Sequence, residues 1–123
     1  MALKSWIVGL VFGGVIVGGA MVWAQTTPKK AYIVVQSNVT NPEQYANYAK
    51  LSPDIIAKYG GRFLARGGKS ATLEGPTAPQ RIVVIEFPSF DAARAFYDSP
   101  EYTAARKIRA GAATMQFVVV EGL

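Results

Sequence analysis

The chain has 123 residues, half of them apolar, with 13 Lys and Arg against 8 Asp and Glu and with no Cys or His. That length suits one domain with a modest hydrophobic core. The missing Cys and His exclude disulfides, thiolate nucleophiles, imidazole bases, His or Cys metal sites, and His or Cys ligation of haem or chlorophyll-type pigments.

The first segment differs from the rest. After Lys4, residues Trp6 to Trp23 form a stretch of 18 residues without a charge or a strongly polar side chain. As a helix this stretch would extend roughly 27 Å, close to the bilayer hydrocarbon thickness of about 30 Å, so it can span a lipid bilayer. Lys4 argues for a cytoplasmic N-terminus and a periplasmic domain on a bacterial inner membrane, although Lys29 and Lys30 weaken the asymmetry. Two fates are open: an anchor that stays, or a signal cut after Ala24, with Val22 and Ala24 at the −3 and −1 positions. The run exceeds the usual signal core of about 7 to 15 residues, and Trp6 and Trp23 bracket it as interfacial aromatics would, which favours an anchor. Gly9 with Gly13 and Gly14 with Gly18 are small-xxx-small pairs that let a neighbouring helix approach closely, although glycine is common in membrane segments generally.

The expected organisation is therefore an anchor or signal over 1–24, a linker over 25–30 and a folded domain over 31–123. From Gln25 onward 12 basic residues face 8 acidic ones, a net charge of +4, but no basic block with interleaved aromatics makes a nucleic-acid groove, and no nucleic-acid partner is expected.

Ala31 to Ser37 (AYIVVQS) is β-branched and aromatic and reads as a strand. Asn41 is positioned to cap a helix with Pro42 at its first position, Tyr45, Tyr48, Ile55 and Tyr59 recur at helical spacing, and Gly60-Gly61 ends it. Pro53 inside that pattern predicts a kink or a division near Ser52. Arg62 to Arg66 is a short strand closed by Gly67-Gly68, Ser70 to Pro79 a loop or edge excursion, and Arg81 to Phe87 (RIVVIEF) the clearest strand. Ser89 caps a helix to about Asp98, Ser99-Pro100 restarts it, Gly111 ends the second piece, and Thr114 to Glu121 is the last strand.

This β-α-β-β-α-β order predicts an α+β, ferredoxin-like sandwich: a four-stranded antiparallel sheet with its helices on one face. The strands carry nearly continuous apolar runs, among them Val83 to Ile85 and Phe117 to Val120, so the other face needs a cover as well. A second copy facing it predicts a homodimer, although a larger partner could cover the same face.

Tyr59-Gly60-Gly61-Arg62-Phe63-Leu64-Ala65-Arg66-Gly67-Gly68, Glu86-Phe87-Pro88-Ser89, Tyr97-Asp98-Ser99-Pro100-Glu101-Tyr102, Arg109-Ala110-Gly111-Ala112 and Val120-Glu121-Gly122 follow one another in order. Together they resemble the small bacterial domain-of-unknown-function 1330 family over Ala31 to Leu123. The resemblance implies a dimeric α/β barrel and places the domain beside cofactor-free monooxygenases; the apolar N-terminal segment is an addition to the family's usual form.

The polar residues of these motifs offer a candidate ligand cleft of Arg62, Arg66, Glu86, Tyr102 and Arg106, with arginines suited to an anion or carboxylate. The structural alternative pairs Arg66 and Arg106 with Glu86 or Glu101 and leaves Ser99-Pro100-Glu101 as a helix start. The eight carboxylates have no metal-ligand spacing, Ser and Thr lack a His base, and Gly67-Gly68-Lys69-Ser70 lacks the earlier glycine of a phosphate loop. No catalytic residue, metal ligand or cofactor is assigned. The first functional expectation is a non-catalytic, single-span accessory subunit that docks into a larger integral-membrane complex, respiratory or photosynthetic, through Gly9, Gly13, Gly14 and Gly18. The second is an exported small-molecule binder or cofactor-free oxygenase.

Overall fold

The computed structural model describes residues 27–77 and 81–123. The apolar stretch from Trp6 to Trp23, with the glycine pairs and the cleavage position expected there, lies outside them. Among the described residues no helix is long and apolar enough to cross a membrane.

The strands are β1 (Ala31–Val39), β2 (Arg62–Arg66), β3 (Arg81–Phe87) and β4 (Ala113–Glu121), and the helices are α1 (Pro42–Lys58), α2 (Phe90–Asp98) and α3 (Pro100–Ile108). All strand pairs are antiparallel in the order β2-β3-β1-β4. This is the expected ferredoxin-like α+β sheet. The period of two in β1 and β3 separates an inner face, with Ile33, Val35, Val83, Ile85 and Phe87 buried, from an outer face carrying Tyr32, Val34, Val84 and Glu86. The helices close the inner face with Tyr48 and Ile56 from α1, Ala93 and Phe96 from α2, and Tyr102 and Ala105 from α3.

Each helix begins where the sequence supplies an acceptor for an orphan N–H. Asn41 accepts from Gln44 N, Ser89 from Ala92 N, and Ser99 from Tyr102 N. Ser99 also donates to Phe96 O at 2.8 Å, so one buried hydroxyl ends α2 and starts α3. Gln44 Nε2 donates to Ile108 O and Ala110 O, both at 2.9 Å, which ties the start of α1 to free carbonyls at the end of α3.

Of the two outcomes expected at Pro53, a kink or a division, the division does not occur: α1 runs unbroken from Pro42 to Lys58. A proline at position 53 removes the donor to the carbonyl of Ala49 four residues earlier. Arg66 supplies a replacement: its Nη2 donates to Ala49 O at 3.2 Å. The carbonyl left over by proline is therefore met from the neighbouring strand.

Arg66 reaches that carbonyl because β2 is not regular. Arg62 pairs with Glu86 and Phe63 with Ile85, but Ala65 pairs with Val84 and Arg66 with Val83, the extra residue at Leu64 forming a bulge. Simple alternation would put Arg62 and Arg66 on the same face. The bulge leaves Arg62 outside beside Glu86 and turns Arg66 inward beside Val83.

Candidate binding site

A cavity of about 30 Å³ lies between α1 and the inner face of the sheet. Every element of the fold contributes to its wall, and most of that wall is apolar, with Val35, Ile56, Ile85, Phe96 and Phe117 among its residues. Its polar groups are Tyr45, Tyr48, Ser52, Arg66, Arg81 and Tyr102. No carboxylate is among them.

Tyr48 and Tyr102, both buried, hydrogen-bond to each other through their hydroxyls. Burial pushes both phenols above their ordinary value of 10.0, while Arg109 opposes the rise. The Arg109 guanidinium lies 4.9 Å from the Tyr48 ring centre and 5.4 Å from that of Phe117. Near neutral pH the pair is therefore two neutral hydroxyls beside a fixed positive charge. Such groups donate and accept hydrogen bonds; they do not serve as a base.

The five residues proposed as one cleft occupy three places. Arg66 and Tyr102 both line the cavity. Arg62 and Glu86 form an ion pair at 2.7 Å on the outer sheet face, where the guanidinium holds the Glu86 carboxyl below its ordinary 4.5. Arg106 stacks 4.4 Å from the Tyr97 ring centre and donates to the Tyr97 hydroxyl and to Thr103. The expected pairing of Arg66 and Arg106 with Glu86 or Glu101 is replaced by Arg62 with Glu86 and Lys58 with Glu101. Among the described residues Arg66, Arg81, Arg106 and Arg109 have no ion-pair partner.

Of the polar residues in the cavity wall, the sequence reading did not assign Tyr45, Tyr48, Ser52 or Arg81 to a site. Arg81 opens β3 on its inner face, opposite Ser37 of β1, which in turn faces Met115 of β4. The period-two pattern of RIVVIEF contains the signal, since the alternation that buries Val83, Ile85 and Phe87 also directs Arg81 inward. Gly67, at φ +69°, leaves room for the guanidinium: a Cβ there would collide with Arg81 Nη1.

A larger groove of about 380 Å³ lies between α2 and the edge strand β4. Its charged residues, Arg94 and Asp98, approach each other at 3.6 Å, so it offers fewer free polar groups than the cavity under α1.

The family match spans residues 30–123 and is to DUF1330, a domain of unknown function. The chain belongs to the DUF1330 family. No curated protein matches it. Among solved structures it is similar to the protein RPA0582 of Rhodopseudomonas palustris, of unknown function, at 21% identity over 85% of this chain and 91% of that one, with a TM-score of 0.65. SnoaB, a cofactor-independent oxygenase from Streptomyces nogalater, is similar at 14% identity over 77% and 94% of the two chains, with a TM-score of 0.53. A dimeric ferredoxin-like protein of unknown function from Bacteroides fragilis is similar at 19% identity over 76% and 96%, with a TM-score of 0.50. At such identities the likeness shows the fold, and reactions are not inherited with it.

Proposed function

We propose that this DUF1330 domain binds a small organic molecule between α1 and the sheet. The observation that carries this reading is the wall of the cavity: a neutral Tyr48–Tyr102 pair and two inward arginines, Arg66 and Arg81, set in an otherwise apolar surface. Convergent polar groups in a concave apolar wall are the usual make-up of a small-molecule site. The cavity volume suits a small polar group. The test is a ligand screen by NMR on the full chain in neutral detergent. Hits that shift Tyr48, Phe117 and Met115 and lose affinity in Tyr48→Phe support the reading; a screen in which no compound perturbs these residues removes it.

Oxygenase-type turnover is the second reading, favoured by the likeness to SnoaB. It needs a group that takes a proton from the substrate, and the buried tyrosines shift in the wrong direction for that task. Binding therefore stands first. Oxygen uptake with any hit from the screen, measured beside a Tyr102→Phe control, would reverse that order.

The domain acts as a homodimer through the outer sheet face, on this proposal, in keeping with the dimeric relative from Bacteroides fragilis. Its place in the cell and its role beside other proteins rest on the sequence before residue 25. Trp6 to Trp23 tethers the domain on the periplasmic side of the inner membrane, and its glycine pairs suit docking into a larger membrane assembly. N-terminal mass analysis of the native protein decides between an anchor and release after Ala24. Co-purification from native membranes tests the accessory-subunit role.

A further inference from the structure

The binding reading leaves the chemical class of the ligand open, and one row of residues on the inner face narrows it. Arg81, Ser37 and Met115 are consecutive across β3, β1 and β4, and Arg81 and Met115 both line the cavity. Ser37 is 1% exposed, and its Oγ has no hydrogen-bond partner. The Nε of Arg81 is likewise buried without a partner. Buried donors are ordinarily satisfied, so two orphans side by side in one cross-strand pair mark a place where a further acceptor belongs.

We infer that Arg81 and Ser37, with Arg66 across the same cavity, form a carboxylate subsite, and that the ligand is a small monocarboxylate with an apolar body. This rests on the binding reading above. Planar guanidinium groups match a carboxylate through paired N–H donors, and the Ser37 hydroxyl can add a third. A fixed acid would neutralise such a site, yet all eight Asp and Glu residues lie elsewhere: three form ion pairs with Arg62, Lys58 and Arg94, and none lines the cavity. Arg109, stacked on Tyr48 and Phe117 of the cavity wall, adds positive charge nearby. Size agrees as well. A cavity of about 30 Å³ accepts a carboxylate head group but not a ring, so the apolar body extends towards Tyr45 and Met115 at the half-buried rim.

Arg66 has a double part in this arrangement. One of its terminal nitrogens caps Ala49 O, while its guanidinium lies 4.5 Å from the Phe63 ring centre, which leaves its other donors to face an anion. It needs no release from the helix to take part.

The test compares hexanoate with uncharged hexanamide by isothermal titration against the full chain in neutral detergent. We expect hexanoate to bind at least about tenfold more tightly, since a charge-assisted contact to a guanidinium exceeds a neutral hydrogen bond. Arg81→Gln abolishes the preference, Arg81→Lys retains part of it, Ser37→Ala weakens hexanoate binding by a smaller factor, and Arg62→Gln on the far face changes nothing. Circular dichroism of each variant accompanies the titration, and Arg81→Lys carries the test if Arg81→Gln does not fold. Equal affinity for acid and amide, or a preference untouched by both Arg81 variants, overturns the carboxylate subsite while leaving a binding cavity. Failure of both compounds to bind, with no perturbation of Tyr48, Phe117 or Met115, overturns the cavity reading as well.

Discussion

The hydroxyls of Tyr48 and Tyr102 satisfy one another where the two helices α1 and α3 meet the sheet, with Phe96, Tyr97 and Phe117 packed around Tyr102. Removing one hydroxyl loses their mutual hydrogen bond, at a cost of about 0.5–1.5 kcal/mol because Arg109 remains a polar neighbour of the other, whereas removing both leaves two rings of nearly the same shape. Tyr48→Phe and Tyr102→Phe are therefore each expected to destabilise the fold by about that amount, and the double variant by less than their sum. Urea unfolding of the four proteins in the cycle checks this; additive losses would mean that the two hydroxyls are not each other's main partner. The pattern of tyrosines in α1 was readable from helical spacing, and in the structure Tyr48 lies in the core with Tyr45 and Tyr59 packed against it. The partner of Tyr48 was not readable, because Tyr102 is 54 residues away and its approach depends on how α3 docks. Arg62 and Arg66 show the same limit at a shorter range. Four residues apart in a strand they should share a face, and a single bulged residue, unmarked by glycine or proline, separates them.

At the scale of elements, α1 and β2 are joined through the carbonyl of Ala49. If Arg66 stands in for the donor that Pro53 lacks, then Arg66→Ala should cost about 0.5–1.5 kcal/mol in the natural background and less in Pro53→Ala, where residue 53 regains an N–H. A double-mutant cycle on unfolding free energies measures the coupling, and a cost of Arg66→Ala independent of residue 53 would refute it. The far end of α1 is tied to α3 by a different device. Lys58 hydrogen-bonds to Glu101 and so holds that carboxyl below its ordinary 4.5. A carboxyl with a lowered folded-state pKa adds stability that is present above its unfolded value and is lost as the pH falls through the folded one. The wild type should therefore lose more stability than Glu101→Gln between about pH 5 and pH 3, by an amount that shrinks in high salt because both groups are exposed to solvent. Thermal midpoints over that range check the sign. Element boundaries were largely legible beforehand, since Asn41, Ser89, Ser99, Pro42 and Pro100 act locally as caps and first-turn residues. The uninterrupted course of α1 was not, because the group that compensates Pro53 comes from another element.

For the molecule as a whole, the outer face of the sheet is the surface on which the proposed homodimer rests. Val118, Val34 and Val84 follow one another across β4, β1 and β3, and Val120, Tyr32 and Glu86 form the next row, which ends at Arg62 of β2. Val118 and Val120 are 49% and 50% exposed, an unusual position for two valines in a strand whose inward residues already pack on the core. Exposed apolar side chains gathered on one flat face favour burial against a complementary surface, and a second copy offers the same rows related by a two-fold axis. A lysine at position 118 would place a charge in the middle of the apolar row. Val118→Lys should weaken the dimer at least about tenfold and leave the monomer folded, because the substituted side chain points away from its own core. Light scattering coupled to size exclusion over a dilution series of the full chain in neutral detergent reads the effect, with hexanoate titration as a second measure. A wild-type chain that stays monomeric at high concentration, or a Val118→Lys variant that dimerises as strongly as the wild type, would show that something other than a second copy covers this face. Carboxylate binding unchanged in a monomeric variant would show in addition that each cavity is complete within one chain, as its lining by all seven elements of a single copy implies.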